Sequence, residues 1–207
     1  MWYKIKKVLI WQNNEEKQIY PKPFEYSYDF RNKNGTILNN DWWSQKNGTW
    51  VVESNWVSSA TWRDCDVVKE IWTSLSNASK IKIQFTIQWS MDYSWKRYIL
   101  FWLADASLST QAGFILASGF DTTYVSVYMN GANNKWSDIG NIWTSTYSPI
   151  IEIDLVNKTM SWTVSWMWTS NLTLTDAMIN TIKAMTHFKM YTTQHTFYLQ
   201  DMSITVY

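Results

Sequence analysis

Glycine is scarce in this chain, with 6 in 207 residues, where ordinary usage gives about 14. There are three prolines, two histidines and one cysteine. Cys65 has no partner for an internal disulfide, and within Arg63-Asp64-Cys65-Asp66 no histidine stands beside it to activate a thiol. A disulfide scaffold and a cysteine nucleophile are therefore not expected, and Cys65 reads as a half-buried small residue. Basic and acidic side chains number 18 and 17, interspersed, for a net charge of +1. Without a basic stripe to neutralise phosphates, nucleic acid is not an expected partner. No apolar run approaches membrane-spanning length, and residues 8–11 are too few for a signal-peptide core, so neither membrane insertion nor an export signal is expected.

Tryptophan is abundant instead, with 16 residues. Many fall where a sheet protein needs a turn. Asn133-Asn134-Lys135-Trp136-Ser137-Asp138, Tyr93-Ser94-Trp95-Lys96 and Ser165-Trp166-Met167-Trp168-Thr169-Ser170-Asn171 have the Asn/Asp/Ser context of tight loops, where glycine supplies positive φ without steric cost. Two readings account for this. The rings form an aromatic surface suited to stacking on sugars, or UGA codons read as Trp here are Gly in the source, which makes Trp11 a natural turn glycine. An intact mass from the native source separates the two.

Period-two alternation dominates the rest. In Lys80-Ile81-Lys82-Ile83-Gln84-Phe85-Thr86-Ile87-Gln88-Trp89 every odd position is apolar and every even one polar, the pattern of a strand with one face in a core. Residues 98–103 form a continuous apolar run, as for a strand covered on both faces. Further strands are expected at 113–117, at 124–129 with Val125, Val127 and Met129 on one face, and at 150–155, 160–166, 188–192 and 196–207. Val156-Asn157-Lys158-Thr159 reads as a hairpin turn. In the last strand Phe197 and Leu199 share one phase while Met202, Ile204 and Val206 take the other, which implies a bulge near Gln200-Asp201.

Residues 175–185 carry the one helix signal. Thr175 caps, Asp176 suits the first turn, and Met178, Ile179, Ile182 and Met185 make one apolar stripe. Regularly spaced strands with a single helix predict an all-β, two-sheet antiparallel sandwich. Residues 4–11 and 17–20 are strand-like runs around a polar 12–16 and are closed by Pro21-Lys22-Pro23, which ends pairing. The expected organisation is an attachment segment at 1–22 and a sandwich at 23–207. A hairpin of that size is marginal alone and needs another sheet to dock on.

Over residues 24–207 the chain resembles the concanavalin A-like, or laminin G-like, jelly-roll domains. The likeness is carried by Tyr26-Ser27-Tyr28-Asp29-Phe30, by the strand at 80–89, by the hairpin at 150–164 and by Phe197-Tyr198-Leu199-Gln200-Asp201-Met202-Ser203-Ile204-Thr205-Val206. The head, Lys6-Lys7-Val8-Leu9-Ile10-Trp11-Gln12 through Lys17-Gln18-Ile19-Tyr20-Pro21, resembles the short attachment segment of some tailed-phage virion proteins, in which a glycine usually stands where Trp11 does. The resemblance implies a virion-borne appendage with a sugar- or host-binding sandwich, held to phage coat or tail proteins through Ile5, Val8, Ile10, Ile19 and Tyr20.

Glu152-Ile153-Asp154-Leu155-Val156-Asn157 resembles the Glu-x-Asp-x-x-Glu strand of sandwich glucanases. Retaining hydrolysis needs two carboxyl groups about 5 Å apart, and Asn157 occupies the second glutamate's position. Glu152 and Asp154 read instead as the wet positions of an amphipathic strand. His187 and His195 lack metal-pair spacing. Asp92, Asp105, Asp121 and Asp138 offer the hard oxygens calcium takes, but no dense Asp-x-Asp pattern, so no metal or other cofactor is assigned. Five Asn-x-Ser/Thr sequons, at Asn34, Asn47, Asn77, Asn157 and Asn171, are what an Asn/Ser/Thr-rich chain makes by chance.

A sandwich binds through its concave sheet face and its rim loops. The expected ligand-binding residues are Trp42, Trp43, Trp95, Trp136, Asp138 and Trp143. The expected function is that of a non-enzymatic phage virion accessory protein, a homo-oligomer or present in many copies on the particle, that binds a cell-surface glycan or other host ligand. A purely structural decoration protein and a glucanase-type hydrolase are the alternatives.

Overall fold

The computed structural model describes residues 8–12, 15–19, 23–31, 44–47, 50–53, 56–59, 65–71, 73–89, 97–107, 111–118, 123–129, 135–138, 146–164, 167–192 and 197–207. Chain order gives β1 (Val8–Gln12), β2 (Glu15–Ile19), β3 (Phe24–Asp29), β4 (Ser44–Asn47), β5 (Trp50–Glu53), β6 (Trp56–Ser59), β7 (Cys65–Glu70) and a 3-10 turn at Leu75–Asn77. It continues with β8 (Lys80–Trp89), β9 (Arg97–Ala104), β10 (Gln111–Ser118), β11 (Thr123–Met129), β12 (Lys135–Asp138), β13 (Thr146–Tyr147) and β14 (Pro149–Asp154). The chain closes with β15 (Thr159–Val164), β16 (Met167–Thr173), α1 (Asp176–Lys183), β17 (His187–Thr192) and β18 (Phe197–Val206).

Strands β12-β11-β10-β9-β17-β7-β4 form a seven-stranded sheet, and β16-β15-β14-β8-β18-β6-β5, with β13 on β8 and β3 on β18, form a nine-stranded one. Every described pairing is antiparallel. The expected all-β sandwich with one short helix is the architecture found.

Alternation builds the core. Ile81, Ile83, Phe85 and Ile87 of β8 are buried while Lys80, Lys82, Gln84 and Thr86 are partly exposed. Across the nine-stranded sheet the register joins Trp162, Ile151, Ile83, Ile204 and Tyr26 in one row. Facing them from the other sheet, Leu103, Ala112, Met129, Phe188 and Met190 belong to the same hydrophobic cluster. Each large apolar side chain so buried contributes about 1.5–3 kcal/mol. Lys69 also lies inside, 4% exposed, its ammonium 5.6 Å from the ring centroid of Tyr26 on the opposite sheet.

Of the connections that cross between the sheets, two touch each other: the 3-10 turn, which leads from β7 to β8, and α1, which leads from β16 to β17. Thr175 caps α1, its Oγ1 accepting from the Met178 N–H at 3.3 Å, and Ile179, Ile182 and Met185 join the core. The expected slip in the last strand is present as a register shift between Leu199 and Asp201.

Three local expectations are corrected. The stretch 133–138 is not simply a loop, because Lys135–Asp138 is strand β12 paired with β11. The stretch 165–171 likewise gives way to β16 from Met167 onward, paired with β15. Trp11 is no turn residue, since it pairs with Glu16 inside the two-stranded sheet β1-β2, whose register also joins Val8 to Ile19 and Ile10 to Lys17. In each case the high β-propensity of aromatic side chains outweighs a turn-like Asn/Ser context. Ladder pairing needs backbone rather than apolar side chains, so it also takes in the polar Gln12, Glu15 and Glu16.

Candidate functional site

Lys189 sets the phase of the outer face of the seven-stranded sheet. Its neighbours Phe188 and Met190 point into the core cluster, so the pleat turns Lys189, 8% exposed, to the other side. Val68 and Ala104, 2% and 0% exposed, are buried yet stand outside that cluster, as the same phase requires.

From Lys189 the register runs across the sheet. Val68 pairs with Lys189, Lys189 with Trp102, Trp102 with Gly113, and Gly113 with Tyr128. The adjacent row of that phase joins Asp66, Tyr191, Leu100, Ile115, Ser126 and Trp136. A third joins Tyr98, Ala117, Tyr124 and Asp138. The outer face of one sheet thus gathers two tryptophan and four tyrosine positions, with carboxylate positions at its margins.

Trp136 and Asp138, expected on a loop, are on β12 at the edge of this sheet, two residues apart and in one phase. Trp42, Trp43, Trp95 and Trp143 lie outside the described residues, as do Ile5 and Tyr20 of the attachment segment, Asp92, Asp121 and His195. Val8 and Ile10 are on β1 and Ile19 on β2. Cys65 opens β7 opposite Thr192. His187 opens β17, its Nδ1 2.8 Å from Thr186 Oγ1, and Asp105 accepts from Ser107 Oγ at 2.8 Å.

Tyr98, Trp102, Tyr124, Tyr128 and Lys189 were not singled out in the sequence. The signal was present, because once Val125, Val127 and Met129 are read as the inward phase of β11, Tyr124 and Tyr128 must share the outward one.

Glu152 and Asp154 are on the partly exposed phase of β14 in the other sheet. Glu152 accepts from Lys80 Nζ at 2.9 Å, and that hydrogen bond holds the Lys80 ammonium above its ordinary pKa. Asp154 caps the following turn, accepting from the backbone N–H of Asn157 at 2.7 Å and of Val156 at 3.1 Å, and from Asn157 Nδ2 at 2.9 Å. The two bonds from Asn157, with that from Val156, lower the Asp154 pKa. Asn157 is an exposed turn residue rather than a third group on the strand. The arrangement fits a capped hairpin, not a pair of carboxyls set across a sugar.

No protein-family model matches the sequence, and none of the curated proteins matches it. Solved structures do. The CBM2 module of the evolved Dit of Lactobacillus casei BL23 phage J-1 superposes with a TM-score of 0.65 at 9% identity, covering 90% of this chain and 98% of that one. Peanut lectin gives 0.64 at 11% identity, over 90% and 98%. The fold is the concanavalin A-like jelly roll. The same jelly roll is shared by the apo Crh5 transglycosylase, with a TM-score of 0.59 at 10% identity over 87% of this chain and 83% of that one. Lectins and a transglycosylase therefore occupy one architecture, and the choice between binding and turnover rests on the side chains of the site.

Proposed function

We propose that this chain is a non-enzymatic accessory protein of a phage particle that binds a glycan through the outer face of its seven-stranded sheet. The observation that carries the binding reading is the gathering of Tyr98, Trp102, Tyr124, Tyr128, Trp136 and Tyr191 positions in one phase of that sheet. Flat aromatic rings with a polar handle suit the apolar faces and hydroxyl rims of sugars, and Asp66 and Asp138 at the margins add acceptors. The lectin folds and the phage CBM2 module among similar structures support the same reading. Trp42, Trp43, Trp95 and Trp143 extend the binding surface in this proposal.

Residues 1–22 serve as the attachment segment, through Ile5, Val8, Ile10, Ile19 and Tyr20. Among the described residues β1 pairs only with β2, which supports this, since a two-stranded hairpin gains stability by docking on a partner sheet. Single shallow sugar sites bind weakly, and display in many copies on coat or tail proteins supplies avidity.

A glycan array probed with the full chain tests the binding reading. Reproducible hits that disappear in Trp102→Ala and Trp136→Ala support it. Silence across a broad array leaves a structural decoration protein as the function.

A further inference from the structure

Among the described residues, Val156 and Tyr207 are the large apolar side chains left in water, 69% and 49% exposed. Both stand at one end of the nine-stranded sheet. The Ser79 carbonyl accepts from the Leu155 N–H at 2.9 Å, and the Ser79 N–H donates to the Tyr207 carbonyl at 2.8 Å, so one residue ties the β14–β15 turn to the residue that follows β18. Turns favour Asn, Asp, Gly and Ser, and valine contributes nothing to turn geometry. Val156 is nonetheless held in place, because the Asp154 carboxylate accepts from its N–H at 3.1 Å. Apolar residues scattered singly are ordinary on a surface. A valine fixed in a turn close to an exposed tyrosine is a small contact patch, and tyrosine is a common interface anchor.

The N-terminal segment leaves at this same end. Phe24, the first residue of β3, pairs with Val206. The strand order β3-β18-β8-β14 puts Phe24 three strand spacings, about 15 Å, from the strand that leads into Val156. The five-residue step from Ile19 to Phe24 reaches at most about 18 Å, so whatever grips the β1–β2 hairpin at Ile19 is within range of both exposed side chains. Resting on the attachment reading above, we infer that Val156 and Tyr207 form a second contact with the particle protein that takes residues 1–22. The surface they meet is apolar and without strong charge, because the flanking charges come as the ion pairs Lys80–Glu152 and Lys158–Asp176 and offer little field to a charged partner. A second contact also fixes the angle of the sandwich on the particle, which a short link alone leaves free.

The test is hydroxyl-radical footprinting of the full chain, free in solution and on particles purified from its source, read by mass spectrometry. The sites read are Val156, Tyr207, residues 1–22 and, as a reference past the opposite end of β3, Arg31, whose side chain is 51% exposed. On particles, oxidation at Val156, Tyr207 and residues 1–22 is expected to be lost while that at Arg31 stays at the free level. The double variant Val156→Asp, Tyr207→Asp, added to particles lacking the chain, is expected to bind about tenfold or more weaker than the wild type, the scale of losing an interface anchor, with an unchanged urea midpoint. Should the double variant fail to fold, the footprint alone decides. Protection of residues 1–22 with Val156 and Tyr207 still oxidised overturns the inference, as does wild-type binding by the folded variant, and both leave the attachment reading standing. Equal protection at Arg31 overturns it too, and so does protection of Tyr207 that grows with concentration in the free chain, which makes a second copy the occupant. Particles that lack the chain, or that leave residues 1–22 unprotected, overturn the attachment reading and this inference with it.

Discussion

Trp162 pairs directly with Ile151 across the β14–β15 ladder, and both residues are 0% exposed. Truncating a buried side chain of this size leaves a void its neighbours close only in part. Trp162→Ala is expected to cost about 3–5 kcal/mol, read as a lowered urea midpoint. The result bears on the codon question, because glycine at 162 removes still more of the core. Peptide mapping of the protein from its native source is expected to find tryptophan at 162, whatever stands at the other tryptophan positions.

Thr175 holds the first turn of α1. Thr175→Ala is expected to destabilise the protein by about 1 kcal/mol, through the loss of one satisfied orphan donor. Hydrogen exchange at the Met178 amide reports it locally, and unchanged protection there rules the cap out as a contributor.

Much of this was legible because burial is one-sided. Lys80 to Trp89 alternates without a break, since its partners on both sides are strands whose inner residues pack one core. The helix was legible because an apolar stripe at helical spacing has few other uses. The edges were not. At β12 and β16 Asn and Ser surround tryptophan, pairing on one side suffices, and a local turn vocabulary outweighs a short strand signal. The aromatic rows of the candidate site depend on which strands are neighbours, and β17 lying between β9 and β7 joins residues that are far apart in sequence.

The carboxyl of Asp154 is held below its ordinary value of 3.8, first by the Asn157 N–H, then by the Asn157 amide and the Val156 N–H. A carboxyl lowered in the folded state adds stability that is fully present above its unfolded pKa and is lost as pH falls through the folded one. The urea midpoint is therefore expected to drop as the solution is acidified below about pH 4. Asp154→Asn should flatten that acid limb. An identical limb in the variant assigns the acid sensitivity to other groups.

Glu152 serves as a partly exposed ion-pair partner of Lys80. Glu152→Gln is expected to leave glycan binding unchanged and to shift stability by less than about 1 kcal/mol. Reducing ends released from a β-glucan by the wild type and absent in Glu152→Gln are the outcome that replaces the binding reading with a hydrolytic one.

β18 is the last strand of the chain, yet it sits inside the nine-stranded sheet, with β8 on one side and β3 and β6 on the other. During synthesis Ile81, Ile83 and Phe85 must wait for more than a hundred further residues before Val206, Ile204 and Met202 reach them, so closure is long-range and slow. A ribosome stalled before codon 197 leaves the sheet split through its middle rather than frayed at its margin, and such a fragment exposes two unsatisfied strand edges to its neighbours.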